Sequence, residues 1–144
     1  MDANPKADVL RISAEKRAEL VRLSRAVVPE EACGLLFGHF GRGEGEVAVA
    51  EVVRIANRAA ACRAERFELD PTEWVAAEDA ARARGLEAVG FWHSHPGGPC
   101  TPSDADEALA SEGSLQLIVT AAGELRAFRS RGGRLRGLRV QPLP

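Results

Sequence analysis

The chain has 144 residues, 45% of them hydrophobic and 28% charged, with a formal net charge of −2. This length predicts one domain over residues 1–144, able to bury roughly 70% of its extended-chain surface, and the composition is globular and not disordered. The slightly acidic balance argues against a nucleic-acid binder, and no apolar run approaches the about 18 residues of a membrane span. Residues 1–5 lack a basic segment followed by an apolar one, so a cytoplasmic protein without a membrane partner is expected. Cys33, Cys62 and Cys100 form an odd set with no C-x-x-C spacing, which predicts reduced thiols and no disulfide framework.

In chain order, Val9–Ile12 reads as a short strand. Ser13 is the predicted N-cap of a helix over 14–27, with Leu20, Leu23, Val27 and Val28 on one stripe and Pro29 ending it. Glu30 and Glu31 precede an apolar strand, 32–40, broken by Gly34 and Gly38. His39 reads as a loop or surface residue. The Gly-rich run 41–45 predicts a hairpin connection to a strand at 47–55, followed by a loose loop over 59–65. Asp70-Pro71-Thr72-Glu73 is a strong helix start, and Gly85 is the stop after Arg84. Trp74 reads as core. Residues 88–92 form a strand that ends at His93-Ser94-His95. A short helix at 103–112, a strand at 115–120 and a closing pair at 125–128 and 135–140 complete a mixed α/β succession, with the sheet flanked by helices.

The chemistry concentrates between residues 91 and 106. Alternate residues of a strand share a face, so His93 and His95 can offer both imidazoles to one metal ion. After a turn rich in Pro and Gly, Ser103 and Asp106 return, and two histidines with a carboxylate leave a fourth zinc position for water. Asp104 competes with Asp106 as the carboxylate. The same Ser103-to-Asp106 segment also reads as a capping box, a role that can coexist with ligation. Cys100 lies in the loop between His95 and Asp106. Six arginines against one acid in residues 124–144 read as a solvated outer face or as a docking patch for an acidic partner.

His93-Ser94-His95-Pro96, six residues, Ser103, two residues, Asp106 resembles the signature of the JAMM (MPN+) metalloproteases. That family adds an upstream glutamate in a Glu-x-x-Gly-Leu context, matched by Glu31-Ala32-Cys33-Gly34-Leu35. The resemblance spans nearly the whole chain and implies a curved mixed sheet between helices, similar to the cytidine-deaminase layout. It implies one Zn²⁺ held by His93, His95 and Asp106. It also implies Glu31 as general base then acid, and Ser103 stabilising the oxyanion or orienting the water. The chain resembles the small stand-alone members, which act on ubiquitin-like sulfur-carrier proteins ending in Gly-Gly. Only residues 107–114 separate Asp106 from the next strand, too few for a chain-gripping insertion or a second zinc site.

Rival readings fail on spacing. A zinc deaminase needs H-x-E and a later P-C-x-x-C, but His95 stands where the Glu belongs and no Cys follows Cys100 at the required offset. A zincin needs H-E-x-x-H, which is absent. A non-catalytic scaffold of the same fold, and a hydrolase releasing one amino acid such as cysteine from a carrier, stay open as alternatives, as does a homodimer.

Overall fold

The computed structural model describes residues 9–41 and 45–143. Ten elements follow in order: β1 (Val9–Ile12), α1 (Ala14–Arg25), β2 (Cys33–Phe40), β3 (Glu46–Ile55), α2 (Pro71–Ala83), β4 (Glu87–Ser94), α3 (Asp104–Leu109), β5 (Leu115–Val119), β6 (Leu125–Arg131) and β7 (Arg134–Pro142). The strands lie in the order β1-β3-β2-β4-β5-β6-β7, and β1 pairs in parallel with both β3 and β7. The expected curved mixed sheet is therefore present, and its curvature carries through to closure.

The local signals explain the helix ends. Ser13 accepts a hydrogen bond from the Lys16 amide, and Asp70 accepts one from the Glu73 amide with Pro71 at the first helical position. After α2, Gly85 takes a φ of +77°, and the Leu86 amide reaches back to the Ala81 carbonyl. This is the glycine-terminated helix end that only a residue without a Cβ enters at little cost. Helix α3 is shorter than the expected 103–112, because Ala110 is already extended. Strands β6 and β7 each run past the expected bounds to meet in a hairpin, with Arg129 opposite Arg136 and Arg131 opposite Arg134. His39 lies within β2 and is exposed, so it is a surface residue but not a loop one. The centre of the 41–45 connection falls outside the described residues.

Strand β2 is buried on both faces, which is why it reads as a nearly unbroken apolar run. Leu36 joins Leu10, Leu20, Val49 and Leu117 in the cluster against α1, while Leu35 and Phe37 pack with Ile55 and Ala81 against α2. Trp74 packs on that second cluster, edge-on to Phe91 with ring centroids 5.3 Å apart. Cys100, Ile118, Phe128 and Leu135 form a third cluster, so Cys100 is a packed core thiol whose Sγ donates to the Ile118 carbonyl at 3.3 Å.

Gly34 has a specific packing reason. The Trp92 indole N–H crosses beside it to the Val53 carbonyl at 3.1 Å, and a Cβ on Gly34 would lie 1.9 Å from that oxygen and 2.5 Å from the indole nitrogen. Backbone and a fully buried Trp92 would both have to move. Gly34→Ala is expected to cost about 3 kcal/mol or more in urea unfolding, at or beyond the top of the usual overpacking range. The thiols give a second expectation. Burial pushes Cys33 up to about 12 and raises Cys100, while Cys62 is exposed. One of the three thiols should react rapidly with Ellman's reagent in the native protein, and all three after unfolding.

Candidate metal centre

The antiparallel pairing of β2 with β4 builds the site. Cys33 lies opposite His93 and Gly34 opposite Trp92. Extending that register by two residues sets Glu31 opposite His95, although they are 64 positions apart in the chain. The extension is real: the Ser94 amide donates to the Ala32 carbonyl at 2.9 Å, and the Ala32 amide donates to Ser94 Oγ at 2.8 Å. Ser94 thus alternates with the two histidines, as expected, and its buried hydroxyl fixes the peptide that follows Glu31.

The third donor arrives from α3. Asp106 is the N3 residue of a capping box: its amide donates to Ser103 Oγ at 3.1 Å, and the Ser103 amide donates to Asp106 Oδ2 at 2.9 Å. Oδ2 is also 3.1 Å from Nε2 of His93 and 3.1 Å from Nε2 of His95, and the two Nε2 atoms are 3.2 Å apart. Asp104 is exposed on the outside of the same helix. The capping box and the convergence on the histidines therefore coexist on one carboxylate, and Asp106, not Asp104, faces them.

His95 Nδ1 lies 2.9 Å from the Pro99 carbonyl oxygen, which can only accept, so Nδ1 carries the proton and Nε2 presents a lone pair. Burial lowers the pKa of His93 and favours its neutral form. At Asp106, burial works against the charge, but the neighbouring His93 and His95 imidazoles and the Ser103 amide outweigh it and hold the carboxyl well below the usual range. Three donor-capable atoms thus converge in a near-equilateral triangle, an arrangement that a cation at its centre would stabilise. Zinc bonds of about 2.0–2.1 Å place tetrahedral donor atoms roughly 3.3–3.4 Å apart, close to the sides of this triangle. The donor set fits zinc in both chemistry and spacing.

Glu31 stands beside this triangle. Its side chain is 5% exposed, Oε2 is 3.9 Å from His95 Nε2, and Oε1 is buried with no hydrogen-bond partner. Glu31, His93 and His95 each bring a donor atom within 4.8 Å of the others. Burial, chiefly, raises Glu31 to about 7; the charge of His95 opposes this, and those of Asp106 and Glu65 add to it. The two carboxylates are pushed in opposite directions: Asp106 is held ionised, while Glu31 can exchange a proton near neutrality.

Two features of the site escape the sequence pattern. Phe67, just past the 59–65 stretch expected to be loose, stacks on the His93 ring at 4.5 Å with a 23° interplanar angle. A cleft of about 370 Å³ opens beside His93 and Asp106, lined by Leu69, Trp74, Phe91 and the exposed Leu109. The one available signal was Phe67 itself, a lone aromatic in an otherwise polar stretch.

A family model for prokaryotic homologs of the JAB domain matches residues 13–131. The chain is 34% identical over 113 residues, 78% of each chain, to a desampylase of Haloferax volcanii. It is 37% identical over 99 residues, 68% of this chain and 65% of the relative, to a desampylase of Pyrococcus furiosus. A solution structure of a Desulfitobacterium hafniense protein superposes with a TM-score of 0.83 at 26% identity, covering 93% of this chain and 92% of that one. A JAB1/MPN domain protein from Archaeoglobus fulgidus, 16% identical, shares the fold with a TM-score of 0.57 over 94% and 98% of the two chains. With the Glu31, His93, His95 and Asp106 constellation folded together, the chain belongs to the prokaryotic homologs of the JAB domain.

Proposed function

We propose that this chain is a zinc metallopeptidase that hydrolyses an amide or isopeptide bond after the C-terminal Gly-Gly of a ubiquitin-like, sulfur-carrier protein. The observation that carries the reading is the triangle of His93 Nε2, His95 Nε2 and Asp106 Oδ2, with the Glu31 carboxylate beside it but outside it. Two relatives named desampylase support a hydrolase of the JAMM type. The cleft beside the triangle supports an extended peptide as the substrate. A Gly-Gly tail suits such an approach, because it brings no side chains against the reacting bond.

His93, His95 and Asp106 would hold the zinc. Zinc bound there supplies Lewis acidity toward the scissile carbonyl and lowers the pKa of a water toward about 7. Glu31 takes the water's proton on its unpartnered Oε1 and returns it to the leaving amine. Its pKa near 7 suits both transfers. The Ser103 hydroxyl accepts from the Asp106 amide and keeps its own proton free to donate to developing negative charge on the substrate. Pro99, through its carbonyl, keeps the His95 ring in the tautomer that presents Nε2.

The test is cleavage of a sulfur-carrier protein extended past its Gly-Gly, with zinc content measured on every sample. Wild type is expected to hold one zinc and to cleave. Glu31→Gln is expected to keep the zinc and lose about 10²–10⁴-fold in kcat. Asp106→Ala is expected to lose the zinc itself. A zinc-loaded wild type that cleaves no extended carrier overturns the substrate assignment, and a wild type that takes up no zinc overturns the metallopeptidase. Ser103→Ala separates a second role. The Ser103 backbone amide still holds Asp106 Oδ2, so zinc should stay while kcat falls about 10²–10³-fold. Loss of the cap should cost about 1 kcal/mol in thermal unfolding.

A further inference from the structure

Glu31 sits two residues before β2 begins, where no strand ladder holds its backbone. The Glu31 amide and carbonyl and the following Ala32 amide are nonetheless all bonded. On the β4 side, Ser94 takes the Ala32 amide and carbonyl. On the other side, the Glu31 amide donates to the Arg63 carbonyl at 2.7 Å, and the Glu31 carbonyl accepts from Asn57 Nδ2 at 3.1 Å. The loop from Asn57 to Leu69, bridged at its two ends, therefore supplies what the sheet does not.

Asn57 closes that loop with every hydrogen-bonding position its side chain has. Nδ2 donates to the Glu31 carbonyl and to the Arg66 carbonyl at 3.0 Å. Oδ1 accepts from the Ala59 amide at 3.0 Å and the Glu68 amide at 3.1 Å. An amide is the group that offers two hydrogens and two lone pairs in one plane. Asp at this position loses both donors, and Ala loses all four bonds. The same loop carries Arg63, whose carbonyl takes the Glu31 amide, and Phe67, whose ring lies on His93. One side chain thus ties together the segment that holds the carboxylate and the loop that packs on an imidazole of the triangle.

We propose that Asn57 is a positioning residue for Glu31: it holds the backbone of the general base in register with the metal centre through the 57–69 loop. This rests on the reading of Glu31 as the base, and its test includes a measurement that does not depend on activity. Zinc-loaded Asn57→Ala and Asn57→Asp are compared with wild type in carrier cleavage and in amide hydrogen exchange by NMR. Asn57→Asp keeps both acceptor bonds, so it guards against a variant that fails to fold. The expected result for both is a kcat lower by about 10–100-fold, as for other groups that orient a site through a second residue, with KM within about twofold and zinc stoichiometry unchanged. The Glu31 amide should exchange at least about 10-fold faster while the Leu117 amide in β5 keeps its wild-type rate. A Glu31 amide that exchanges as in wild type, or that speeds up only in step with Leu117, overturns the proposal and leaves Asn57 an ordinary loop staple. If wild type cleaves no carrier, the peptidase reading falls separately, and the exchange rates alone decide whether Asn57 holds Glu31.

Discussion

The register between β2 and β4 is the constraint on which the rest of the site depends. With Cys33 opposite His93, the segment before β2 runs alongside the segment after β4, and Glu31 meets His95. Side chains alternate with a period of two, so a slip of one residue would turn Glu31 to the opposite face and leave the histidines without their carboxylate neighbour. The register is held by the buried, two-faced packing of β2 and by the close passage of the Trp92 indole beside Gly34. Ser94 extends it past the end of the strand, spending a buried hydroxyl on the Ala32 amide.

Asp106 shows how one carboxylate serves a fold and a site together. As the N3 residue of a six-residue helix, it closes a capping box with Ser103. The bond from the Ser103 amide holds the same oxygen that faces both imidazoles. A short exposed helix would be a poor platform for a metal ligand, because so few intrahelical bonds hold it. Here the cap itself orients the carboxylate, and Glu107 Oε2 accepts from the Leu135 amide, anchoring the helix to β7. The cluster of Cys100, Ile118, Phe128 and Leu135 supports the loop that leads into it.

The electrostatics divide the two carboxylates by partner and not by depth. Both side chains are buried, and burial alone would raise both. Asp106 lies against two imidazoles and accepts from the Ser103 amide, which together favour its charge. Glu31 has an oxygen with no hydrogen-bond partner among the described residues and is pushed up toward neutrality. An environment that separates two acids in this way fits the proposed division between permanent charge at Asp106 and proton transfer at Glu31.

The sequence by itself determined much of this protein. Caps at Ser13, Asp70 and Ser103, the stop at Gly85, the two-residue spacing of His93 and His95, and the apolar run of β2 are local signals, because each depends on backbone geometry within a few residues. Pattern also named the five polar residues that the fold gathers, although Glu31 lies far from the others in the chain. Tertiary structure alone decided three things. Spacing alone leaves Asp104 in competition with Asp106, and the docking of α3 turns Asp106 toward the imidazoles. The sheet closes, because β1 finds an edge on both β3 and β7. The 57–69 segment, of which 59–65 reads as loose from sequence, becomes a support for the site, because the bonds of Asn57 and the ring of Phe67 reach residues 26 positions distant in the chain, in Glu31 and in His93 alike. Such contacts leave no periodic trace in sequence: a single amide or a single ring meeting a distant backbone has no spacing to repeat.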